Sequence, residues 1–301
     1  MIRKSTRLVV NADDLGLAES VNRGIIEAIE CGIVTSASLM VNMPACEDAI
    51  RRLQEARQRG ATPGIGLHFN IVAGRPLETC RTLTSLRTGE FLPMLTLAWR
   101  AWAGRLDLRE IERELEAQLH RAKKLLIPIG LQVTHIDSHR HAHCLPGVFD
   151  LVARAARRHG IVHVRHSCEA PGMQLGRPHA MLASRLLRAV VARREPTDDV
   201  RFTGIAMMGS RTFDSDIDRL IARLPTGTTE LMVHPGYDSP ELAALDAYRA
   251  PRERELRALT SPALRDRIEA LGVELTQFDA PDESSRAPAA QRPRRNTPAP
   301  S

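Results

Sequence analysis

An alternating run of histidines is the segment of the sequence with the clearest chemical potential. Between positions 134 and 143, one Asp and four His occupy every second position, and they are His135, Asp137, His139, His141 and His143. In an extended chain, alternate side chains face the same side. Burying several imidazoles and a carboxylate together is costly without ligands or partners, and these groups suit zinc and other borderline cations. The run therefore predicts a divalent-metal site. The alternative is a polar, water-lined loop or a fortuitous His-rich tract.

Three shorter segments place polar residues where apolar stretches end. Asp13 and Asp14 follow the first such stretch, His68 ends a later one, and His234 ends another near the C-terminal part of the chain. Strand ends host active sites in α/β folds. There, one carboxylate can bind a metal while its neighbour reaches a water, and an imidazole can serve as a general acid because it titrates near working pH. The alternatives are an Asp pair that caps a turn, a core histidine at position 68, and a turn hydrogen bond at His234.

Strands and helices alternate along the chain and must position these residues. Hydrophobic periodicity predicts strands at 7–11, 36–41, 64–70, 132–137, 161–165, 229–234 and 273–278. It predicts helices at 20–31, 45–59, 108–126, 147–159, 213–224 and 251–259. Parallel neighbours need crossover helices, so the alternation indicates an α/β fold with a mostly parallel sheet. We expect an Arg-rich helical excursion at 172–203, and a disordered tail at 279–301, where few bulky apolar residues are available to bury.

Composition argues against several classes of protein. The formal charge of +6 comes from scattered arginines without a recognisable binding motif, and only 3% of residues are aromatic, which argues against nucleic-acid partners. The five cysteines are odd in number and lack a C-x-x-C pair, so we expect neither a disulfide framework nor a zinc knuckle, and a reducing cytoplasm fits best. We find neither a signal-peptide core nor an 18-residue apolar span, and we therefore expect no membrane partner.

Taken in order, these segments resemble the YdjC/ChbG family of carbohydrate deacetylases, which includes chitooligosaccharide deacetylases and the hopanoid-associated HpnK group. The resemblance covers about residues 7–278 and is carried by Asn11–Gly16, Gly32–Ser36, Gly66–His68, His135–His143 and Val233–Gly236. It implies a distorted (β/α) TIM-like barrel that forms a single domain over residues 1–278, and commonly a homodimer. It also implies hydrolytic removal of acetyl groups from N-acetylated sugars such as diacetylchitobiose.

The resemblance also implies a role for each site residue. One divalent ion, Mg²⁺ or Zn²⁺, would be held by Asp14, His68 and His139, with Asp13 as the general base and His234 as the general acid. Five further residues would contact substrate or support the metal ligands: His135, Asp137, His141, His143 and Arg165.

The sequence departs from the family pattern in two places. Leu15 stands where a Phe often follows the Asp pair, and residues 84–104 match poorly, which leaves the identity and length of the sugar open. Two other functions also remain open. One is hydrolysis of another amide or ester by the same residues, and the other is an inactive carbohydrate- or nucleic-acid-binding relative. Retention of both Asp13 and His234 favours a hydrolase, because a binding protein needs neither a base nor an acid.

Overall fold

A parallel β-sheet forms the centre of the computed structural model, which describes residues 5–169 and 196–278 together with Leu182 and Arg185. Its strands are β1 Thr6–Leu15, β2 Ser36–Leu39, β3 Gly64–Phe69, β4 Val133–Ser138, β5 His163–Val164, β6 Arg201–Thr203, β7 Gly227–Val233 and β8 Val273–Leu275. The strand order is β5-β4-β3-β2-β1-β7-β6, and β8 pairs with β1. Every ladder between these strands is parallel.

The two edges of the sheet approach each other. An isolated parallel bridge joins Glu169, just after β5, to Phe202 in β6. In addition, the side chain of His163 in β5 lies against Glu230 in β7, with 3.3 Å between Nε2 and Oε2. The sheet therefore curves into an incomplete barrel, and these contacts join its two edges at a narrow seam. The prediction of a distorted α/β barrel of mostly parallel strands is confirmed.

Helices cover the outside of this sheet. The α-helices with described bounds are α1 Glu19–Cys31, α2 Cys46–Gln58, α3 Met94–Trp102, α4 Leu108–Leu126, α5 Val148–Arg158, α6 Phe213–Ile221, α7 Pro240–Leu245, α8 Ala250–Leu259 and α9 Pro262–Ala270. In α4 the buried residues Ile111, Leu115 and Leu119 recur every four positions and so form one apolar face. The Asp107 carboxylate caps its first turn by accepting a hydrogen bond from the Arg109 N–H. Such amphipathic helices supply the crossover connections that parallel strands require.

One large apolar cluster lies between the sheet and its helices and extends from Leu8 to Val273. Because all the strands are parallel, their carboxyl ends lie at the same end of the barrel. The polar residues that follow the apolar part of β1, β3, β4 and β7 are therefore brought to one region. Within the described residues, no helix combines the length and the apolar character needed to cross a membrane.

The structure corrects three expectations. The histidine run does not stay extended: β4 ends at Ser138, and His139–Cys144 forms 3₁₀ turns in which Arg140 and His141 have φ values of 52° and 55°. Residues 201–203, expected in a helical excursion, form β6. Helices α3, α7 and α9 were not predicted. The rest of the expected excursion, apart from Leu182, Arg185 and 196–200, lies outside the described residues, as does the tail at 279–301. The division into a domain and a tail therefore stays a prediction.

Candidate active site

A cavity of about 420 Å³ lies at the carboxyl ends of the strands. The five residues expected to bind the metal or transfer protons all line it: Asp13, Asp14, His68, His139 and His234. A larger cavity of about 910 Å³ lies at the opposite end of the barrel, against Arg7, His163 and Asp198. We place the chemistry in the smaller cavity, because both described groups of three side chains that could hold a metal ion include residues at its wall.

Asp14 stands at the centre of the first group. Its Oδ1 lies 2.8 Å from His139 Nδ1 and 3.3 Å from His68 Nε2, so three potential ligand atoms from β1, β3 and the turn after β4 converge. The backbone at Asp14 is left-handed, with φ of 71°. A non-glycine residue rarely adopts this conformation, although Asp tolerates it better than most residues. The turn directs the Asp14 side chain into the cavity instead of along the strand.

His68 is held in one orientation by its neighbours. Its Nδ1 lies 2.7 Å from Asp137 Oδ1, which leaves Nε2 directed at Asp14. The carboxylate of Asp137 also accepts a hydrogen bond of 2.6 Å from the Ser38 hydroxyl. Histidines that bind metals usually donate their other ring N–H to a carboxylate in this way. Asp137 therefore orients His68 and does not line the cavity itself.

The electrostatics of the cluster favour a positive charge between these side chains. Burial alone would lower the pKa of His68, but the carboxylates of Asp137, Asp14 and Asp13 raise it to about 10. For Asp14 the effects are reversed: burial alone would raise its pKa, but His139 and the Arg252 guanidinium bring the pKa well below its usual range. One carboxylate and two imidazoles form a suitable donor set for a divalent cation, with positions left for water and substrate. The residues present therefore fit a metal ion.

The second possible ligand group, Asp13, His68 and Asp137, is less suited to a metal. Both oxygens of Asp13 bind the guanidinium of Arg165, at 2.6 and 2.7 Å. Arg165 also lies 2.7 Å from Asp137 Oδ2, and its Nε donates to Glu230 Oε1 at 2.8 Å. These carboxylate oxygens are thus already bound by a fully buried arginine.

The same arginine sets the protonation state of Asp13. Burial alone would raise the pKa of this carboxyl, but the charge of Arg165 and its hydrogen bonds hold the pKa well below the ordinary range. Asp13 is therefore ionised at neutral pH and fixed in direction. An ionised carboxylate at the cavity wall has the protonation state that a proton acceptor needs, and the lowered pKa makes it a weak base.

His234 lies across the cavity, directly after β7. Its backbone N–H donates to Glu255 Oε2 at 2.6 Å, and its ring packs 5.4 Å from the Tyr248 ring, measured between centroids. The Tyr248 hydroxyl donates a short hydrogen bond to the same Glu255 carboxylate. The Nδ1 atom of His234 is buried and has no hydrogen-bond partner within the described ranges. The imidazole is thus held by packing and through its backbone, without a carboxylate on its ring.

The remaining members of the histidine run have different surroundings. His141 lines the cavity, and its Nδ1 lies 2.9 Å from the Ser167 hydroxyl. His143 is buried behind the turn, with Nε2 2.8 Å from the Arg165 carbonyl oxygen. His135 lies deeper in the barrel, 2.8 Å from the Thr134 hydroxyl. Burial lowers the pKa of all three, to about 3 for His143. They are therefore neutral, and the structure does not bring His135 or His143 to the cavity.

Gly66 explains how His135 fits inside the barrel. A Cβ atom placed on Gly66 would lie only 2.4 Å from the His135 ring, so any side chain there would displace the imidazole. Gly66, two positions before His68, thus makes room for the His135 side chain of the neighbouring strand β4.

Several residues at the site were missed from sequence. Arg252 and Tyr248 line the cavity together with Asp246, and Glu230 is fully buried beside Arg165. Glu230 did carry a signal, because it is a charged residue inside the apolar segment 229–234. Arg252 carried none, since it belongs to an Arg-rich helix that looks like solvated surface.

The fold and the site together define a class: an incomplete parallel barrel whose strand ends carry a carboxylate–imidazole cluster able to hold a metal, flanked by a second carboxylate and another imidazole. A family model described as YdjC-like protein matches residues 7–270. The chain belongs to this family.

Curated relatives match along nearly their whole lengths. A carbohydrate deacetylase of Geobacillus stearothermophilus is 37% identical over 90% of this chain and 96% of its own. A human carbohydrate deacetylase is 35% identical over 97% and 96%, respectively. A chitooligosaccharide deacetylase of Yersinia enterocolitica is 33% identical over 90% and 97%.

A solved structure has the same fold. The crystal structure of a candidate cellobiose-phosphate cleavage protein from Enterococcus faecalis V583 superposes with a TM-score of 0.71. It covers 91% of this chain and 98% of its own, at 23% sequence identity. At this identity the likeness supports the barrel architecture alone.

Proposed function

We propose that the protein is a divalent-metal-dependent hydrolase that removes the acetyl group from N-acetylated sugars of the chitooligosaccharide type. The observation that carries the proposal is the convergence of Asp14, His68 and His139 on one point, with Asp13 and His234 on the wall of the same cavity. The names of the curated relatives supply the acetylated sugar as substrate. The volume of about 420 Å³ is within the usual range for small-molecule sites.

In this proposal Asp14, His68 and His139 hold one cation, either Mg²⁺ or Zn²⁺. Two imidazoles among three protein ligands favour a borderline cation, whereas Mg²⁺ usually takes more oxygen ligands. A bound divalent cation would supply Lewis-acid polarisation of the acetamide carbonyl and a lower pKa for water. Asp137 keeps His68 oriented for this role through the 2.7 Å contact to its Nδ1.

Asp13 and His234 perform the proton transfers of the proposed reaction. Asp13 accepts a proton as the oxygen of a water molecule attacks the acetamide carbonyl carbon. The C–N bond then breaks, the electron pair stays on nitrogen, and His234 donates a proton to the departing amine. The products are acetate and a free amino sugar. Arg165 keeps Asp13 ionised before the transfer and fixes both of its oxygens.

Three further parts of the proposal concern the setting of the enzyme. We infer a homodimer in a reducing cytoplasm, and we infer no nucleic-acid or membrane partner. All five cysteines are free, and Cys46, Cys80 and Cys144 are buried, which accords with a reducing compartment.

Acetate release tests the proposed function. The purified full chain, supplied in separate reactions with Mg²⁺ and Zn²⁺, should release acetate from diacetylchitobiose, measured by a coupled acetate assay. Release from a simple acetyl ester, without release from any N-acetyl sugar, would instead identify a hydrolase of other substrates. Absence of acetate from every acetylated compound would leave the binding alternative.

A further inference from the structure

Arg252 is a buried arginine in contact with the proposed metal ligand Asp14. It lies near the start of α8 and is fully buried. Its Nη2 atom donates to Asp14 Oδ2 at 2.6 Å and to Asp246 Oδ2 at 2.8 Å, and its Nε donates to the Tyr248 carbonyl oxygen at 2.7 Å. Removing a guanidinium from water is costly unless carboxylates and further hydrogen bonds compensate. Nε and Nη2 have such partners, whereas the buried Nη1 has none among the described residues.

The two oxygens of Asp14 therefore have different partners. Oδ1 faces His139 and His68, while Oδ2 is bound to Arg252. The guanidinium thus blocks one oxygen and fixes the plane of the carboxylate. It also stabilises a side chain whose backbone is left-handed, at φ of 71°.

Building on the proposed metal-dependent function, we propose that Arg252 is a positioning residue that makes Asp14 a ligand through a single oxygen. It belongs neither to the ligand set nor to the proton-transfer pair. It acts on the metal through Asp14, because it fixes which oxygen faces the cavity and in which direction. Residues that orient metal ligands in this way commonly change metal affinity about 10–100-fold when they are replaced.

The charge of Arg252 does not oppose this role. A lone guanidinium beside a ligand would repel a divalent cation. Here Asp246, whose side chain is only 9% exposed, binds the same Nη2 atom and compensates that charge. Asp14, Arg252 and Asp246 together carry one net negative charge. Asp246 Oδ1 also lies 3.5 Å from the half-exposed Arg140.

Zn²⁺ binding by the full chain, stripped of metal with a chelator, tests this proposal without an activity assay. In calorimetric titrations Arg252→Lys should weaken Zn²⁺ binding roughly 10–100-fold. Lys keeps the charge, but its single ammonium group cannot reproduce the fork that holds Asp14, Asp246 and the Tyr248 carbonyl oxygen. Arg252→Gln should weaken binding as well. The matched control is Arg249→Lys, which changes an exposed arginine just before the same helix, paired with Asp238, and should leave affinity unchanged.

The opposite pattern would overturn the proposal. If Arg252 acted by charge alone, Arg252→Lys would bind Zn²⁺ like the wild type, and Arg252→Gln would bind it more tightly. If the variants do not fold, a crystal structure of the wild type with Zn²⁺ decides. Coordination through one Asp14 oxygen, with the other on Arg252, supports the proposal, and coordination through both oxygens refutes it.

These results separate this inference from the proposed function. If the wild type binds no Zn²⁺, the metal centre fails and the role of Arg252 fails with it. If the wild type binds Zn²⁺ and Arg252→Lys binds it equally well, only the role of Arg252 fails. If Arg252→Lys weakens Zn²⁺ binding but the wild type releases no acetate from N-acetyl sugars, only the deacetylase function fails.

Discussion

Adjacent aspartates in this protein differ because different arginines bind them. Arg165 binds both oxygens of Asp13, whereas Arg252 binds one oxygen of Asp14 and leaves the other facing two imidazoles. The sequence placed both carboxylates at a strand end. It could not assign their partners, because Arg165 and Arg252 lie 152 and 238 positions away along the chain.

Replacement of Asp13 tests its role as general base. We expect Asp13→Asn to lower kcat for acetate release by about 10²–10⁴, the usual contribution of a positioned base. Arg165 would retain Asp137 and Glu230 as partners, so the fold should survive. Acetate release and Zn²⁺ titration on the same preparation provide the measurement, and Zn²⁺ affinity should change little. The exposed Asp238→Asn is the control, and a loss of less than about tenfold in Asp13→Asn would contradict the role.

At the level of elements, the core strands and the long helices were predictable and the turns were not. The predicted helix at 108–126 matches α4, because its apolar face repeats with helical period. The prediction that the histidine run stays extended was wrong. Its alternation fits a strand, but the backbone is left-handed at Arg140 and His141. That turn bends the chain after Ser138, the last residue of β4. Periodicity reports burial within regular structure and does not report such turns.

The seam between the sheet edges depends on a charged histidine. His163 Nδ1 lies 2.7 Å from Asp198 Oδ2, and its Nε2 lies 3.3 Å from Glu230 Oε2. Burial alone would lower the pKa of His163, but these two carboxylates raise it to about 9. The unfolded chain would have a value near 6.5. The stabilisation is therefore complete below about pH 6.5 and is lost as the pH rises through about 9.

Urea unfolding at pH 6.5 and 9.5 tests this linkage. The wild type should lose on the order of 2–3 kcal/mol of unfolding free energy more than His163→Gln over this interval, since one pKa unit corresponds to about 1.4 kcal/mol. The exposed His120→Gln serves as the control and should follow the wild type. Equal pH dependence in wild type and His163→Gln would show that the seam does not rely on this charge.

At the scale of the whole molecule, the fold rests on its apolar core and the chemistry on one cavity. The large cluster joins the sheet to helices on its outer face, and the proposed ligands stand at its end instead of within it. A metal here should therefore contribute to activity far more than to folding. Zinc fingers behave differently, because metal binding supplies their folding free energy.

Metal removal checks that distinction. A chelator should abolish acetate release, while thermal unfolding followed by circular dichroism remains cooperative with a melting temperature lowered by only a few degrees, as expected when a ligand leaves the native state. Adding back Mg²⁺ or Zn²⁺ should restore turnover. Unfolding at 25 °C on chelation would instead assign a structural role to the ion.

The left-handed residues at the cavity also bear on how freely the site can be redesigned. Among the described residues, the non-glycine positions with positive φ are Asp14, Arg140 and His141, and all three border the cavity. Each such conformation costs about 1 kcal/mol or more, against a typical stability margin of about 5–15 kcal/mol. Variant libraries that alter specificity should therefore favour Gly, Asn and Asp at positions 140 and 141, because a β-branched residue there would lower the free energy of unfolding further.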